Sequence, residues 1–224
     1  EFRRVLFRSS HELKTPLTVI LANTGLVLSH PEDTVAAQSK WLEYTHDEAE
    51  QMKGLVDDLL FLAKSDAARQ PAARAETAIS EVALGCLLPF ESVAFESGVA
   101  LEHRITLGLS LRGDEGQLRR LVMILLDNAV KYAGPGGTVT LTLERHQERL
   151  RLAVHNTGEP IPPEHLPHLF ERFYRADAAR NRSGGGYGLG LAIARSIVEG
   201  HHGRLTVTSP AAARTPFTAL FPRR

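Results

Sequence analysis

Residues 10–18 read SHELKTPLT, and from there an apolar residue or a threonine recurs every three or four positions. This alternation runs through five residues: Leu13, Leu17, Ile20, Thr24 and Val27. It predicts an α-helix that packs against another helix through that seam. At about 100° per residue, His11 falls on the side of the helix away from the seam, so we expect its ring to be exposed to water.

Three neighbours make His11 a candidate nucleophile. Glu12 is adjacent and can accept a proton from a ring nitrogen, and Thr15 lies one turn further on, on the face of His11. Pro16 has no N–H, so it frees the carbonyl of Glu12 and is expected to bend the helix. An exposed imidazole beside a carboxylate suits a nucleophile. Taken alone, however, the pattern fits an ordinary surface histidine equally well.

The composition is that of a globular protein. The chain has 224 residues, 43% hydrophobic and 23% charged, with 26 basic and 26 acidic residues. This balance argues against a nucleic-acid partner. A single cysteine, Cys86, excludes internal disulfides and thiolate zinc clusters, and we expect it in the core. The longest apolar run, Leu121–Leu126, is far too short to span a bilayer, so we expect any membrane-spanning part upstream of this fragment.

The first nine residues, EFRRVLFRS, resemble a translated sequencing adapter, and we set residues 1–9 aside as a non-native artefact. Composition and breaker residues divide the rest into three parts. We expect a helical domain over 10–68, a linker with a short first strand over 69–79, and a larger domain over 80–224.

A second, longer helix is expected after the break at residues 30–33, capped by Asp33 or Thr34. Two helices with a short connection form an antiparallel hairpin. Its stripe is too wide for one hairpin to bury, so we expect a homodimer that forms a four-helix bundle. Docking of the hairpin on the larger domain is the alternative. The stripe consists of Leu42, Thr45, Ala49, Met52, Val56, Leu59 and Ala63, widened by Leu55, Leu60 and Leu62.

The rest of the chain alternates helices with strands, and this order predicts a two-layer α/β sandwich. We expect Ser80 to cap a helix over 81–97 that kinks or breaks at Pro89, and Asp114 to start a strongly apolar helix over 117–132. A further helix is expected over 189–199. Strands are expected near 74–79, 99–105, 109–111, 139–143, 150–154, 205–208 and 217–221, with a hairpin loop at 145–149.

Two motifs carry phosphate chemistry. The run GGGYGLG, residues 184–190, leads into a helix, where glycines let backbone N–H groups approach an anion and the helix dipole favours negative charge. It matches neither a Walker A loop nor a dinucleotide fingerprint. Asn128 and Lys131 are three apart on one helix face, which suits magnesium and a triphosphate. A flexible glycine loop and a polar helix end remain the simpler alternatives.

Taken together, these motifs resemble the transmitter core of bacterial two-component sensor histidine kinases over everything after residue 9. Residues 10–18 resemble the phospho-acceptor box and residues 124–132 the N box. Residues 156–161 stand at the first glycine box, residues 170–175 match the F box, and residues 186–192 match the second glycine box. Five motifs in the family order are a specific signal.

The resemblance implies a Bergerat-type ATP-binding fold, with ATP as the substrate and Mg²⁺ as the cofactor. Asn128 would be the magnesium ligand, while Lys131 and Tyr132 would line the phosphate and adenine regions. A mobile lid would cover ATP over residues 175–187, where Arg180 and Arg182 can reach phosphates or stay solvated. The further ATP-binding residues implied are Asn156, Gly158, Ile161, Gly186, Gly188, Leu189 and Gly190.

Three residues depart from the family pattern. Asn156 stands where the family usually has an aspartate that accepts the adenine amino proton, and a neutral acceptor is weaker by about 1 kcal/mol. Pro160 replaces a glycine and stiffens its loop. Ile124 stands where hydrolytic relatives carry, four residues before the Asn, the glutamate that activates water. Phosphoryl transfer to His11 is therefore favoured over a stand-alone ATPase, and a degenerate docking module is the remaining alternative.

The resemblance also implies a mechanism and a partner. His11 would take the γ-phosphoryl group of ATP while Glu12 holds the other ring N–H, and would pass it to an aspartate of a response regulator. Thr15 matches the position that orients a water for dephosphorylating that regulator. The chain would be the cytoplasmic portion of a membrane-anchored sensor.

Overall fold

The computed structural model describes residues 2–67, 75–176, 186–209 and 215–222, with side chains from Ser10 onward. Two long helices come first, α1 at Phe2–Ser29 and α2 at Val35–Ala67, and they pack antiparallel as predicted. Thr34 caps α2, because its hydroxyl accepts from the Ala37 N–H at 3.2 Å.

The seam of α1 towards α2 differs from the prediction. Pro16 and Asn23 are buried, whereas the predicted seam residue Leu17 is 45% exposed. Leu21 and Leu28, at 64% and 79%, share that exposed side of α1. The apolar stripe is therefore broader than the contact with α2, and its outer half faces away from the hairpin.

The remainder is a two-layer α/β sandwich built on one mixed sheet. The sheet order is β2-β4-β5-β7-β6, with β2 parallel to β4 and the other pairs antiparallel. A small antiparallel pair, β1 with β3, stands apart. The elements are β1 Ala75–Thr77, α3 Ile79–Glu96, β2 Ala100–Ile105, β3 Leu111–Gly113, α4 Glu115–Ala133, β4 Thr138–His146, β5 Arg149–Asn156, α5 Gly190–Gly200, β6 Arg204–Val207 and β7 Thr215–Pro222.

Alternation along the strands assigns the two sheet faces. Leu141, Leu143, Leu152 and Val154 are fully buried and belong to one core with the apolar faces of α3, α4 and α5. Cys86 of α3 also lies in this core, as expected. The predicted sandwich is confirmed, with α3, α4 and α5 as the helical layer that packs on the sheet.

Several local predictions are wrong. Ser80 does not cap α3: it lies inside the helix, its hydroxyl donates to the Thr106 carbonyl at 2.8 Å and accepts from the Leu109 N–H at 3.0 Å. Of the kink or break expected at Pro89, the break is absent, because α3 runs through that residue. Strand β3 lies two residues later than expected, because the Leu109 N–H is bonded to the Ser80 hydroxyl and Leu109 is not part of the strand. The β4–β5 connection is a two-residue turn, because Gln147 adopts a left-handed φ of 54°.

The hairpin also docks on the sandwich, which was the less favoured alternative. Leu55 and Leu62 of α2 are buried in the same core as the sandwich helices, and α2 contacts α5. The α2 stripe therefore serves two purposes: one edge packs on the sandwich, while Val56 and Leu60 remain exposed. Across the parts of the chain that the structure describes, no helix is both long and apolar enough to cross a membrane.

Candidate active site

The end of α4 supplies the first wall of the candidate site. Asp114 caps the start of α4 by accepting from the Gln117 N–H at 2.8 Å, and Gly134 ends it with a φ of 68°. The last two turns of α4 therefore place Asn128, Lys131 and Tyr132 beside the sheet. Asn128 is half-buried, whereas Tyr132 is 53% exposed.

The end of β5 supplies the second wall. Asn156 is buried there, and its amide nitrogen donates to the Thr157 carbonyl at 2.9 Å. Gly158 follows with a φ of 141°, and a side chain at this position would collide with the carbonyl oxygen of Tyr132. The close approach of Gly158 to the end of α4 is what joins the two walls.

The glycine-led start of α5 closes the third side. A β-carbon at Gly186 would lie 3.8 Å from the Lys131 ammonium nitrogen, so this loop runs beside the cation. Gly188 has a φ of 70°, and its carbonyl accepts from the Phe173 N–H at 2.9 Å. A β-carbon at Gly190 would meet the Ile124 side chain at 3.4 Å, so the helix start packs directly on α4.

These three walls enclose one cleft of about 1440 Å³. All ten residues expected to bind ATP line it, although they come from three separate stretches of sequence: Asn128, Lys131, Tyr132, Asn156, Gly158, Ile161, Gly186, Gly188, Leu189 and Gly190. Pro160 and Ile124, two of the departures from the family pattern, line it as well. Arg180 and Arg182, expected in the lid, lie outside the described residues.

The electrostatics of the cleft favour an anion. Desolvation and the nearby charge of Arg175 lower the pKa of Lys131, whereas Asp127 acts in the opposite direction. Two cations that destabilise each other at a cleft wall gain from a negatively charged ligand between them. A triphosphate would provide that charge.

His11 lies on the exposed side of α1, as expected, and the Thr15 hydroxyl donates to the His11 carbonyl at 3.5 Å. The hairpin register relates it to the cleft. The Gln38 side chain donates to the Val27 carbonyl, so these two residues lie opposite each other in the antiparallel hairpin. Sixteen residues before Val27 is His11, and sixteen residues after Gln38 is Gly54, so these two residues also lie at one level. Gly54 lines the cleft, which therefore opens on the hairpin at the level of His11.

The glycine-rich loop also lies near His11. Burial raises the pKa of Tyr187, and the negative charges of Glu48 and then Glu12 raise it further. Glu12 is the direct neighbour of His11 in sequence. The glycine-rich loop is therefore electrostatically coupled to the segment of α1 that carries His11.

Sequence reasoning missed the hairpin's share of the cleft. Gln51, Gly54 and Asp58 of α2 line it, and no motif marks them because their place depends on how the hairpin docks. A second omission is His165, whose Nδ1 lies 2.7 Å from the Tyr174 hydroxyl at the cleft rim. A third is His201, which is buried. Its Nε2 accepts from the Asp114 N–H at 3.1 Å, and its Nδ1 donates to the Ile197 carbonyl at 2.7 Å.

The donor set fits a magnesium ion that arrives with its nucleotide. Asn128 presents a carboxamide on the cleft wall, next to Asp127. Within the described residues, no group of three or more His, Cys, Asp or Glu is placed to hold a metal by itself. Magnesium commonly keeps water and phosphate oxygens as most of its ligands, so one or two protein ligands suffice.

Comparison with known proteins matches both halves of the chain. Residues 8–68 match the family described as His Kinase A (phospho-acceptor) domain. Residues 113–224, half of the chain, match the family described as histidine kinase-, DNA gyrase B-, and HSP90-like ATPase. The chain belongs to the sensor histidine kinases. The order of the two matches makes it a transmitter core.

Curated relatives of this kinase are sensor proteins. The chain is 35% identical to the sensor histidine kinase CusS of Escherichia coli O157:H7 over 96% of its own length and 44% of that protein. It is 36% identical to the phosphate regulon sensor protein PhoR of Pseudomonas aeruginosa over 95% and 48%. The kinase thus spans about half the length of the curated relatives it matches.

Solved structures share the fold. The histidine kinase AdeS of Acinetobacter baumannii superposes with a TM-score of 0.77 at 20% identity, covering 96% of this chain and 98% of that one. The histidine kinase ThkA in complex with the response regulator protein TrrA gives a TM-score of 0.73 at 20% identity, covering 99% and 61%. Both confirm a helical hairpin followed by the sandwich.

Proposed function

We propose that this chain transfers the γ-phosphoryl group of ATP to His11 and then to an aspartate of a response regulator. The observation that carries the proposal is the single cleft. Three distant motifs converge in it, and it opens on the hairpin at the level of His11. Residues 10–68 serve as the dimerisation and phospho-acceptor domain, and residues 80–224 bind ATP.

The first step forms a nitrogen–phosphorus bond. An unprotonated ring nitrogen of His11 attacks the γ-phosphorus, the bond to the bridging oxygen breaks, and ADP leaves with the electron pair. Glu12 holds the other ring N–H and so selects the attacking tautomer. Lys131 balances charge on the phosphates, and the N–H groups at the start of α5 orient them. Magnesium, held by Asn128 when bound with the nucleotide, would neutralise further phosphate charge.

The second step requires a partner. A phosphoramidate is a reactive donor, and a carboxylate oxygen of a receiver aspartate can displace the imidazole. The complex of ThkA with TrrA supports this assignment, because that kinase shares the fold over nearly the whole of this chain. Thr15 lies one turn from His11 and orients a water for the reverse function, dephosphorylation of the regulator. We place this core on the cytoplasmic side of a membrane-anchored sensor, with the anchor upstream.

The exposed apolar side of the hairpin supports a homodimer. Leu21 and Leu28 of α1 and Val56 and Leu60 of α2 are exposed in the single chain. A second hairpin would cover them and complete a four-helix bundle.

A labelling assay tests the proposal. With γ-labelled ATP and magnesium, we expect acid-labile, alkali-stable label that disappears in His11→Ala. His46→Ala removes another exposed histidine of the same hairpin and should keep the label. Phosphate release that survives His11→Ala would indicate a stand-alone ATPase instead.

Asn156 and Pro160 favour one second candidate, a docking module without kinase activity. The Asn156 amide is a neutral group where a charged acceptor is usual, and it already donates to Thr157. This alternative predicts no label and no nucleotide binding by calorimetry. Label on His11, even at a slow rate, would exclude it.

A further inference from the structure

Two ion pairs join α2 to the sandwich within this chain. A guanidinium nitrogen of Arg120 on α4 pairs with the Asp58 carboxylate, and the guanidinium carbon lies 4.7 Å from the centre of the Phe61 ring. Further along α2, one nitrogen of Arg172 contacts both oxygens of Asp66 at 2.7 and 2.8 Å. Both cations come from the sandwich and both carboxylates from the hairpin.

The Asp58–Arg120 pair is the more protected of the two. The side chains of Arg120 and Asp58 are 33% and 31% exposed, and buried Leu55 and Leu62 flank the carboxylate along α2. Exposed ion pairs contribute little, whereas removal of one partner from a desolvated pair leaves an uncompensated charge. A change at either residue should therefore disturb how the hairpin and the sandwich meet.

The pair lies next to the elements that must meet during the reaction. Asp58 is one turn after Gly54, which is level with His11, and both line the cleft. Arg120 lies about two turns before Asn128 on the same rigid helix. Helix α4 thus carries both Arg120 and the residues that face the nucleotide cleft. The ion pair of Arg120 with Asp58 therefore fixes the position of the cleft relative to the hairpin.

We propose that Asp58 and Arg120 form a positioning pair, which docks the nucleotide cleft on the hairpin of its own chain. His11 then accepts the phosphoryl group from the ATP bound by the same chain. The inference rests on the proposed function, since it takes His11 as the acceptor and the cleft as the ATP site. The pair acts through the placement of the cleft, without chemistry of its own.

Charge exchange tests the pair. Asp58→Arg and Arg120→Asp should each slow labelling of His11 by about tenfold or more, because misplacement of a donor by an ångström is costly. In Arg120→Asp, the KM for ATP and the calorimetric affinity should stay within about threefold, since Arg120 is not among the described residues that line the cleft. The double exchange should restore labelling to within about threefold of the parent chain.

A neighbour on the same helix provides the control. Arg119 pairs with Glu115 of its own helix at 3.1 Å, and its guanidinium lies beside Gly85 of α3, so Arg119→Asp should leave labelling unchanged. Wild-type rates in either single exchange would overturn the inference. So would losses that the double exchange does not recover. Neither result would affect the proposed function, which is read from the parent chain and His11→Ala in the same assay.

Mixed dimers test whether the pair lies within one chain. One chain carries Asp58→Arg, the other carries Arg120→Asp, and two affinity tags isolate the mixed species. If residues 58 and 120 pair within one chain, the first chain has two arginines and the second has two aspartates at these positions, so labelling stays as slow as in the single variants. If they pair between chains, each arginine meets an aspartate and labelling recovers, which would overturn the intrachain assignment.

Discussion

Lys131 is a cation on the cleft wall, and its surroundings shift its pKa. Desolvation and Arg175 lower its pKa below the ordinary 10.5, so the free protein loses this proton earlier than an exposed lysine does. Phosphates favour the charged form and raise the pKa again. We therefore expect ATP affinity to fall as the pH rises through the lowered pKa, and ATP binding to take up a proton between that pKa and 10.5.

Calorimetry in two buffers of different ionisation enthalpy measures both effects. Lys131→Arg is the matched control, because a guanidinium stays charged over the whole range and should remove the proton uptake. An alkaline loss of affinity that is identical in the arginine variant would assign the titration to another group.

Gly158 and Gly186 line the same cleft but differ in what a side chain would meet. At Gly158 the φ of 141° and the Tyr132 carbonyl oppose any β-carbon, whereas at Gly186 the nearest atom is 3.8 Å away. Gly158→Ala should lower the free energy of unfolding by about 2–4 kcal/mol, and Gly186→Ala by under about 1 kcal/mol. Urea unfolding of the two variants measures the difference. Equal losses would mean that the loop adapts.

Sequence could predict the cleft residues because family motifs mark them individually. It could not predict Asp58 or Gly54, since these residues carry no motif and reach the cleft only through docking. It could not predict the burial of His201 either, since only the packed structure shows that both ring nitrogens have backbone partners.

At the scale of elements, the hairpin contains two buried side-chain amides, and we expect their replacement to change the stability in opposite directions. Gln38 donates to the carbonyls of Val27 and His30, at 3.3 and 2.7 Å, and so satisfies the end of α1. Asn23 is buried in the seam, and its amide nitrogen lacks a hydrogen-bond partner among the described residues. A buried polar group without a partner costs free energy that an apolar side chain of similar size avoids.

We expect Asn23→Leu to raise the free energy of unfolding by about 1–2 kcal/mol, and Gln38→Leu to lower it by about 1 kcal/mol. Thermal unfolding of the two variants, compared with the parent chain, measures both. A loss in Asn23→Leu would show that the amide has a partner in the assembled protein.

The order of helices and strands could be predicted from the periodicity of the sequence, but the helix faces that contact each other could not. A stripe that alternates three and four shows that α1 is buried somewhere, without saying which part faces which partner. At two positions the seam towards α2 lies one residue before the predicted one, at Pro16 instead of Leu17 and at Asn23 instead of Thr24. Strand β3 begins two residues later than predicted because of the hydrogen bonds of Ser80, and no sequence pattern predicts these bonds.

At the scale of the whole molecule, the outer side of the hairpin is the surface on which the proposed dimer depends. Leu21 and Val56 are exposed in the single chain, and a charge at either would be buried in the proposed bundle. Leu21→Glu combined with Val56→Glu should give a monomer in sedimentation equilibrium. Leu88→Glu, an equally exposed change on α3, should leave the dimer intact. A parent chain that sediments as a monomer would contradict the proposal directly.

The edges of the sheet have a consequence for such a dimer. Edge strand β2 carries Glu102, His103 and Arg104 in a row, and edge strand β6 has only the four residues Arg204–Val207. In the proposed dimer, tethering would hold two sheets at millimolar effective concentration, where bare edges would join and aggregate. Charge on one edge and brevity of the other would act as gatekeepers, and would keep each sandwich a separate body while the hairpins hold the pair together.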